Sequence, residues 1–252
     1  MRRLTERYVS LLGVNPFSLL SLGSLPRYFK ERMEFKKKGG EVAVSYPILS
    51  DYRDWAGTMK GHYFHQDLYV AQAIFEAKPA RHVDVGSSIS GFVSHVASFM
   101  PIEILDIRPV PSSSKNISFT QQDVMNGLSI KSQSLSCLHT IEHFGLGRYG
   151  DPINPSGHLK GFANLVASVE SNGKFYISFP IGSQERVEFN AHRVFHPESI
   201  FTWPSAESLA LVDFAWVDDS GDLNPHSTVS EAVSANLTYG CGIYTFIKAS
   251  ID

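Results

Sequence analysis

Short apolar runs alternate with polar or glycine-containing turns along most of the chain after residue 80. Runs bounded by turn residues are typical of strands, and they occur at residues 83–85, 103–106, 116–124, 134–144, 173–180 and 239–248. Stretches with helical spacing at residues 92–99 and 158–170 lie between these runs. Strands that alternate with helices predict an α/β fold built around a mainly parallel sheet.

The segment before the first strand predicts a longer helix over residues 62–78. Pro79 ends this helix, because a proline cannot continue the backbone hydrogen-bond ladder. The apolar positions near helical spacing are Tyr63, Leu68, Val70, Ala71, Ile74 and Phe75. These apolar positions support the prediction of a helix over this segment.

The remaining segments are less regular. Residues up to about 38 predict helical structure with breaks at Pro16 and Pro26, and an isolated strand is expected at residues 41–49. Pro197 is expected to open a short helix. The Gly-, Pro- or Ser-rich stretches predict loops, at residues 145–157, 182–196 and 220–234.

The turn after the first strand carries the clearest chemical signal. The chain there reads Val83-Asp84-Val85-Gly86-Ser87-Ser88-Ile89-Ser90-Gly91, and the next strand ends in Asp106. Small residues let backbone N–H groups approach a ligand, and the following helix N-terminus favours an anionic group. A carboxylate at the end of the second strand can accept both hydroxyls of a ribose. The pattern is typical of the first half of a nucleotide-binding βαβ unit.

The glycine pattern separates two classes of nucleotide cofactor. A nicotinamide-binding turn has G-x-G-x-x-G, but Ser88 stands at its second glycine. With Asp84 before Gly86, the segment resembles the first motif, D-x-G-x-G-x-G, of class I S-adenosylmethionine (SAM) methyltransferases. Ser88 and Ser90 replace two glycines of that motif.

Later segments extend this resemblance over residues 63–248. Asp123 ends a third strand where these enzymes place an acid against adenine, and Glu142-His143 follows the fourth strand. The resemblance implies a Rossmann-like, mostly parallel seven-stranded sheet with an antiparallel last strand, preceded by a helical extension. It also implies SAM as cofactor, with the binding residues Asp84, Gly86, Ser87, Ser88, Asp106, Ile107, Asp123, Val124, His139 and Thr140.

A narrower resemblance implies a substrate class. The stretches from His62 to Asp67, from Thr140 to Pro152 and from Gly240 to Tyr244, with the serine-containing turn, resemble an uncharacterised family of predicted methyltransferases. The bacterial members of that family are often encoded among surface-polysaccharide genes. The resemblance implies O-methylation of a sugar hydroxyl during synthesis of a surface glycan such as O-antigen or capsule.

Composition is that of a folded protein with an uneven charge distribution. The 252 residues are 43% hydrophobic and 19% charged, and the net charge is −3. The first forty residues hold nine Lys/Arg against three Glu, which leaves a net −9 on the remainder. We therefore expect a basic helical extension at residues 1–60 and a SAM-binding domain at residues 61–252. The extension could contact an anionic membrane surface or an anionic, lipid-linked glycan, or it could be a solvated arm packed on the domain.

Other features bear on partners and location. An acidic body disfavours nucleic acid as a partner. No apolar run reaches the roughly 18–20 residues of a membrane span, and no signal peptide is recognised. Cys137 and Cys241 read as core residues of a cytoplasmic protein, with possible peripheral contact at the inner membrane face. The sequence does not indicate an oligomeric state.

Histidines are the candidates for chemistry. His143 is the first choice for the base that takes the acceptor proton, and His192 is the second, from the opposite wall. His139-x-x-Glu142-His143 also matches an inverted zinc-protease signature, but that motif needs a helix and this segment predicts a strand. Asp151, Glu142, His192 and His196 could instead hold a divalent ion, although no metal site is assigned.

Long loops over a rigid sheet predict the acceptor-binding walls. The residues expected there are Glu142, Arg148, Asp151, Arg186, Arg193 and His196. Because the arginines can form bidentate hydrogen bonds, they suit a phosphate or carboxylate on the acceptor. Two alternatives stay open: a methyltransferase-like scaffold without chemistry, and a nicotinamide-dependent oxidoreductase acting on nucleotide sugars.

Overall fold

The computed structural model describes residues 18–250 and divides into two units, Met1–Thr58 and Met59–Asp252. In the first unit, α1 (Ser18–Ser21) and a 3-10 turn (Leu22–Ser24) precede α2 (Leu25–Lys37). α2 begins at Leu25, directly after the 3-10 turn, and Pro26 is its second residue, where a proline lacks only an N–H that has no helical partner. The predicted break at Pro16 lies outside the described residues.

The rest of the first unit bears on two predictions, the isolated strand at residues 41–49 and the basic extension. Residues 41–49 form no strand; most of their side chains are exposed, and no neighbouring strand pairs with them. Of the basic residues in the extension, Arg2, Arg3 and Arg7 lie outside the described part of the chain. Arg27 and Lys38 form exposed i,i+4 ion pairs on α2, with Glu31 and Glu34 respectively.

The second unit contains an eight-stranded sheet in the order β3-β2-β1-β4-β5-β10-β8-β9. Its strands are β1 (His82–Val85), β2 (Ile102–Asp106), β3 (Ile117–Gln121), β4 (Ser132–Leu138), β5 (Val169–Ile181), β8 (Leu209–Val217), β9 (Leu223–Asn224) and β10 (Gly240–Lys248). The five neighbouring strands β3, β2, β1, β4 and β5 pair in parallel, whereas β10 is antiparallel to both β5 and β8. The predicted fold class is confirmed, with the two-residue β9 as an extra edge strand.

Helices and a small hairpin complete the unit. The helices are α3 (His62–Ala77), α4 (Ser94–Ala97), α5 (Gly157–Ser168) and α6 (Val229–Ser234), and the hairpin pairs β6 (Arg186–Glu188) with β7 (His192–Val194). Two of the three predicted loops are therefore wrong in part. The stretch 182–196 contains the hairpin, and the stretch 220–234 contains β9 and α6. A capping box between Thr228 and Glu231 starts α6.

Apolar side chains fill both faces of the sheet. One core cluster joins α5 to the sheet through Phe162, Leu165 and neighbouring aromatic rings, and the other joins α3 and α4 to the opposite face. Each fully buried large side chain contributes roughly 1.5–3 kcal/mol. The sheet therefore has a rigid interior, and its strand ends are held in place.

Helix α3 buries only some of the apolar positions that predicted it. Val70, Ala71 and Ile74 are buried as expected, but Tyr63, Leu68 and Phe75 are 55%, 43% and 56% exposed. The polar residues Gln66 and Asp67 are buried instead. Gln66 can be buried because its Oε1 accepts a 2.5 Å hydrogen bond from Ser178 Oγ on β5. The spacing of apolar residues alone does not indicate such a buried polar side chain.

Candidate functional site

The turn between β1 and α4 needs glycine at two positions only. Gly86 has φ +70°, and a Cβ there would lie 2.4 Å from Thr140 Cγ2. At Gly91, a Cβ would lie 2.3 Å from the Asp67 carboxylate. Ser88 has the extended conformation φ −65°, ψ 121°, which any residue adopts. The serine at this motif position is therefore compatible with the turn.

Asp84 supports the turn from below. It is completely buried, and its carboxylate accepts hydrogen bonds from Ser136 Oγ at 2.5 Å and from Ser87 Oγ and N at 2.6 and 3.0 Å. Burial raises the pKa of Asp84 to about 6, against these hydrogen bonds, which act to lower it. Asp84 does not line the cavity described next, so its expected contact with a cofactor is corrected to a supporting role.

Two adjoining cavities open at the carboxyl ends of the parallel strands. The smaller cavity is bounded by the ends of β1 and β2 and by the segments that follow β3 and β4. The larger cleft extends from it past the turn towards His192 and Tyr239, and both share Gly86, Asp106, Arg108, His139, His143 and Tyr149. All other predicted cofactor residues line one or both, namely Gly86, Ser87, Ser88, Asp106, Ile107, Asp123, Val124, His139 and Thr140.

Asp106 at the end of β2 is paired with a residue that the sequence did not indicate. Arg108 Nη2 and Nε donate to the two carboxylate oxygens of Asp106 at 2.7 and 3.0 Å, and the Arg108 backbone N–H donates at 2.8 Å. The Arg108 guanidinium lies over the Tyr149 ring, 4.3 Å from its centroid. A ligand hydroxyl at Asp106 would therefore meet a carboxylate already oriented by this bidentate pair.

Asp123 follows β3 and lines the smaller cavity with Val124 and Met125. Its carboxylate caps a 3-10 turn, accepting from Met125 N at 2.9 Å and from Asn126 Nδ2 at 2.8 Å. Ile107 contributes an apolar wall to the same cavity. Apolar side chains beside an acid suit a flat heteroaromatic ring that carries an amino group.

His143 is brought to both cavities. Its Nδ1 donates to the Ala191 carbonyl at 2.6 Å, which leaves Nε2 as the unprotonated nitrogen of the neutral ring. Burial lowers the pKa of His143, although the neighbouring Glu142 acts to raise it. The ring of His192 lies 6.5 Å from that of His143, in the wall of the larger cavity. The two predicted bases therefore share one cleft.

His139 and Glu142 form a buried pair between the cavities and the sheet. His139 Nδ1 lies 2.7 Å from Glu142 Oε1, and the His139 backbone has φ +49°, which is uncommon for a non-glycine residue. Burial alone would lower the pKa of His139, but Cys241 and Glu142 raise it well above its usual range. Residues Ile141–His143 form a 3-10 turn and no helix, so the zinc-protease arrangement is absent from this segment.

The predicted acceptor residues divide into two groups. Glu142 and Arg148 line the larger cavity. Asp151 lines the smaller one, but its carboxylate is occupied by backbone N–H groups of Gly145 at 2.7 Å, Gly147 at 3.2 Å and Tyr149 at 3.2 Å. Asp151 therefore shapes the loop, and the structure does not support it as a metal ligand beside Glu142.

Arg186, Arg193 and His196 lie outside both cavities, contrary to expectation. Arg193 is 3% exposed, and its guanidinium donates to three backbone carbonyls of the 142–155 segment. Arg186 pairs with Glu188 at 3.2 Å, and His196 Nδ1 lies 3.9 Å from Glu198. Arg186 and Arg193 stand in the β6–β7 hairpin, where their side chains are occupied by partners within the protein.

Aromatic residues at the mouth of the cleft were missed. Tyr63 at the start of α3 and Tyr239 before β10 both line the larger cavity. The rings of Tyr63 and His139 lie 4.9 Å apart, and the ring of His62 lies 5.1 Å from that of Tyr239. The sequence signal was the aromatic run His62-Tyr63-Phe64-His65, of which only Tyr63 was counted, as an apolar position of the helix.

Comparison with protein families gives a match over part of the chain. Residues 112–218 match the family described as "Caenorhabditis protein of unknown function, DUF268". No curated protein matches the chain. The family match covers less than half of the sequence, and its description assigns no activity.

Solved structures show the same fold at low sequence identity. N-methyltransferase NodS from Bradyrhizobium japonicum WM9, in complex with S-adenosyl-L-homocysteine, is 11% identical over 82% of this chain and 94% of its own, with a TM-score of 0.50. The 1,6-didemethyltoxoflavin-N1-methyltransferase of Burkholderia thailandensis, with S-adenosylhomocysteine bound, is 17% identical over 73% and 79%, also at 0.50. The [4+2]-cyclase SpnF is 12% identical over 92% and 97%, at 0.54. The chain therefore has the fold of class I SAM-dependent methyltransferases.

Proposed function

We propose that the chain is a SAM-dependent methyltransferase that transfers a methyl group to a sugar hydroxyl. The observation that carries the proposal is the convergence of the Gly86 turn, Asp106 and Asp123 on one cavity at the carboxyl ends of β1, β2 and β3. Ligands of open α/β sheets bind at this edge, next to the point where the strand order reverses between β1 and β4.

The residues present fit this cofactor. The Gly86 backbone, which admits no Cβ, would lie against the amino-acid end, and Asp106 would accept the ribose hydroxyls. Ile107, Val124 and Asp123 would hold the adenine ring. When bound there, SAM supplies an electrophilic methyl group on a positively charged sulfur. Solved neighbours with S-adenosylhomocysteine bound support this assignment through the fold.

The larger cavity supports a polar acceptor. Arg148, His143 and His192 offer hydrogen-bonding groups, while Tyr63 and Tyr239 offer aromatic faces. A sugar ring combines hydroxyls with apolar C–H faces, and a wall of this mixed kind matches both. The assignment to surface glycans rests on the sequence resemblance, and the two cavities are compatible with it.

His143 provides the proton acceptor in this proposal. With SAM bound, an acceptor hydroxyl in the larger cavity would lose its proton to His143 Nε2 as it took up the methyl group that SAM supplies. The Ala191 carbonyl holds Nδ1–H and so fixes the tautomer that this step requires. The rest of the acceleration comes from positioning the two reactants in line.

The test is methyl transfer to a panel of sugar and nucleotide-sugar acceptors by wild type and His143→Ala. The substitution is expected to lower turnover by roughly 10²–10⁴ and to leave SAM affinity nearly unchanged. His226→Ala, an exposed histidine outside both cavities, is the matched control. Unchanged turnover in His143→Ala would rule out this histidine as the base.

One observation favours a second candidate, a scaffold without methyl transfer. Arg108 already donates to both carboxylate oxygens of Asp106, which a ribose would otherwise use. Each oxygen keeps further acceptor capacity, so we favour the enzyme. SAM binding without methylation of any acceptor, in the same assay, would favour the scaffold.

A further inference from the structure

Three side chains from distant parts of the second unit meet beside the larger cavity. His62 is the first residue of α3, His139 follows β4, and Cys241 lies in β10. Each offers a ligand atom, and the three atoms all lie within 4.8 Å of one another. Nitrogen and sulfur ligands of a tetrahedral zinc ion are about 3.3–3.6 Å apart, so only small side-chain movements separate this cluster from that geometry.

The rings are already spaced as two zinc-bound imidazoles would be. Each imidazole centroid lies about 3.2 Å from a zinc bound to its nitrogen, which puts two such rings at a tetrahedral angle about 5 Å apart. The centroids of His62 and His139 are 5.2 Å apart.

His139 carries the independent evidence for a ligand. Its side chain is buried, and Nε2 makes no hydrogen bond within the described residues. Its other nitrogen, Nδ1, is held by the Glu142 carboxylate at 2.7 Å, which is the outer partner that metal-binding histidines usually have. A buried, unpaired nitrogen pointing at a thiol and a second histidine is costly unless something binds it.

We propose that His62, His139 and Cys241 bind one zinc ion, with Glu142 as the carboxylate that orients His139. Among the described residues, the cluster contains no fourth His, Cys, Asp or Glu ligand. The fourth position therefore falls to a small exogenous ligand such as water, as in zinc sites with three protein ligands. The ion ties the first residue of α3 to the ends of β4 and β10, beneath the cleft. This inference concerns ligand binding alone and does not depend on the proposed function.

The test is zinc content of the full chain, purified without a histidine tag, followed by zinc titration against a chromophoric chelator. Wild type is expected to hold one zinc per chain, and Cys241→Ser to bind it at least ~100-fold more weakly. Cys137→Ser, which changes the other buried free cysteine, is the matched control and is expected to bind zinc like wild type. Replacement of zinc by Co²⁺ is expected to give a thiolate charge-transfer band that Cys241→Ser lacks.

Two further variants keep the test decisive. His62→Ala removes a half-buried ligand at a helix start, so it serves if Cys241→Ser does not fold, and the same loss of affinity is expected. Glu142→Gln is expected to weaken zinc about 10–100-fold as an orienting residue. A wild-type chain that neither retains nor binds zinc, or a Cys241→Ser or His62→Ala chain that binds it as tightly, would overturn the proposal. SAM binding, measured separately, decides the proposed function.

Discussion

Ser136 connects two buried titratable side chains under the cofactor turn. Its single hydroxyl proton is donated to Asp84, so the 2.9 Å contact with His82 Nε2 has the histidine as donor. His82 Nδ1 then accepts from Ser134 Oγ at 2.7 Å. All four groups are buried, and in this arrangement a neutral His82 donates from Nε2 and accepts at Nδ1. Burial lowers the pKa of His82 to about 3.

This depressed pKa predicts a loss of stability on acidification. Unfolded His82 binds a proton below about pH 6.5, but the folded protein does not bind it until about pH 3. The unfolded state therefore holds more protons between these values, and stability falls as pH falls through that window. Relative to His82→Gln, wild type should lose about 1.4 kcal/mol of unfolding free energy between pH 7.5 and 5.5.

Urea unfolding of the two proteins at both pH values measures this difference. The comparison with the variant is needed because Asp84 has the opposite effect on stability. Its pKa is about 6 in the folded state and 3.8 when unfolded, so the folded state binds more protons between these values. Asp84 therefore raises the free energy of unfolding as pH falls from about 6 towards 3.8. Parallel pH profiles for wild type and His82→Gln would contradict the proposed hydrogen-bond chain.

Site residues were predictable from sequence where a strand end fixes their position. Asp106, Asp123 and His143 each follow a parallel strand, and all three line the smaller cavity. Arg193 was misplaced because nothing in its local sequence shows that buried carbonyls will use its guanidinium. The pairing of Arg108 with Asp106 was missed because a two-residue separation after a strand has no periodic signature.

The turn after β1 is the element on which the site depends. Its backbone takes φ +70° at Gly86, whereas Ser88 is extended and Gly91 has a negative φ of −103°. A motif written with three glycines therefore overstates the conformational requirement here. Only the first glycine needs the left-handed region, and the last is needed for the close approach of Asp67.

Substitutions in this turn should separate the two requirements. Gly86→Ala places a Cβ 2.4 Å from Thr140 Cγ2 at a positive φ, so it should lower stability by about 1–3 kcal/mol and weaken SAM binding. Ser88→Gly should change stability by no more than about 1 kcal/mol. Thermal unfolding and calorimetry of both variants check this. Stronger SAM binding by Ser88→Gly would show that the serine impairs the turn.

Elements with strong local signals were predicted, and those that depend on distant partners were not. The helix at residues 62–77 and the strands β1, β2 and β10 had clear boundaries in the sequence. Strand β8 and the β6–β7 hairpin were missed. β8 begins with exposed residues and pairs with β10, which follows it by about 30 positions in the chain. Such pairing depends on the assembled sheet and is not apparent from the local pattern of hydrophobic residues.

At the scale of the whole molecule, the reversal of strand order between β1 and β4 determines where ligands can bind. Both cavities lie at this reversal. In the described part of the chain, no helix is long and apolar enough to cross a membrane. The same fold is found in two N-methyltransferases and in the [4+2]-cyclase SpnF. Fold alone therefore does not decide the chemistry, and cofactor binding has to be measured.

The most direct measurement is calorimetry of the full chain with SAM, S-adenosylhomocysteine and NAD. The account predicts one site for SAM and its demethylated product and no binding of NAD. Asp106→Ala should weaken SAM by about one to two decades, because hydrogen bonds to a charged acceptor contribute roughly 1.5–3 kcal/mol. Asp222→Ala, beside β9 at the opposite edge of the sheet, should bind SAM like wild type. Binding of NAD without SAM, or SAM affinity unchanged in Asp106→Ala, would contradict the account.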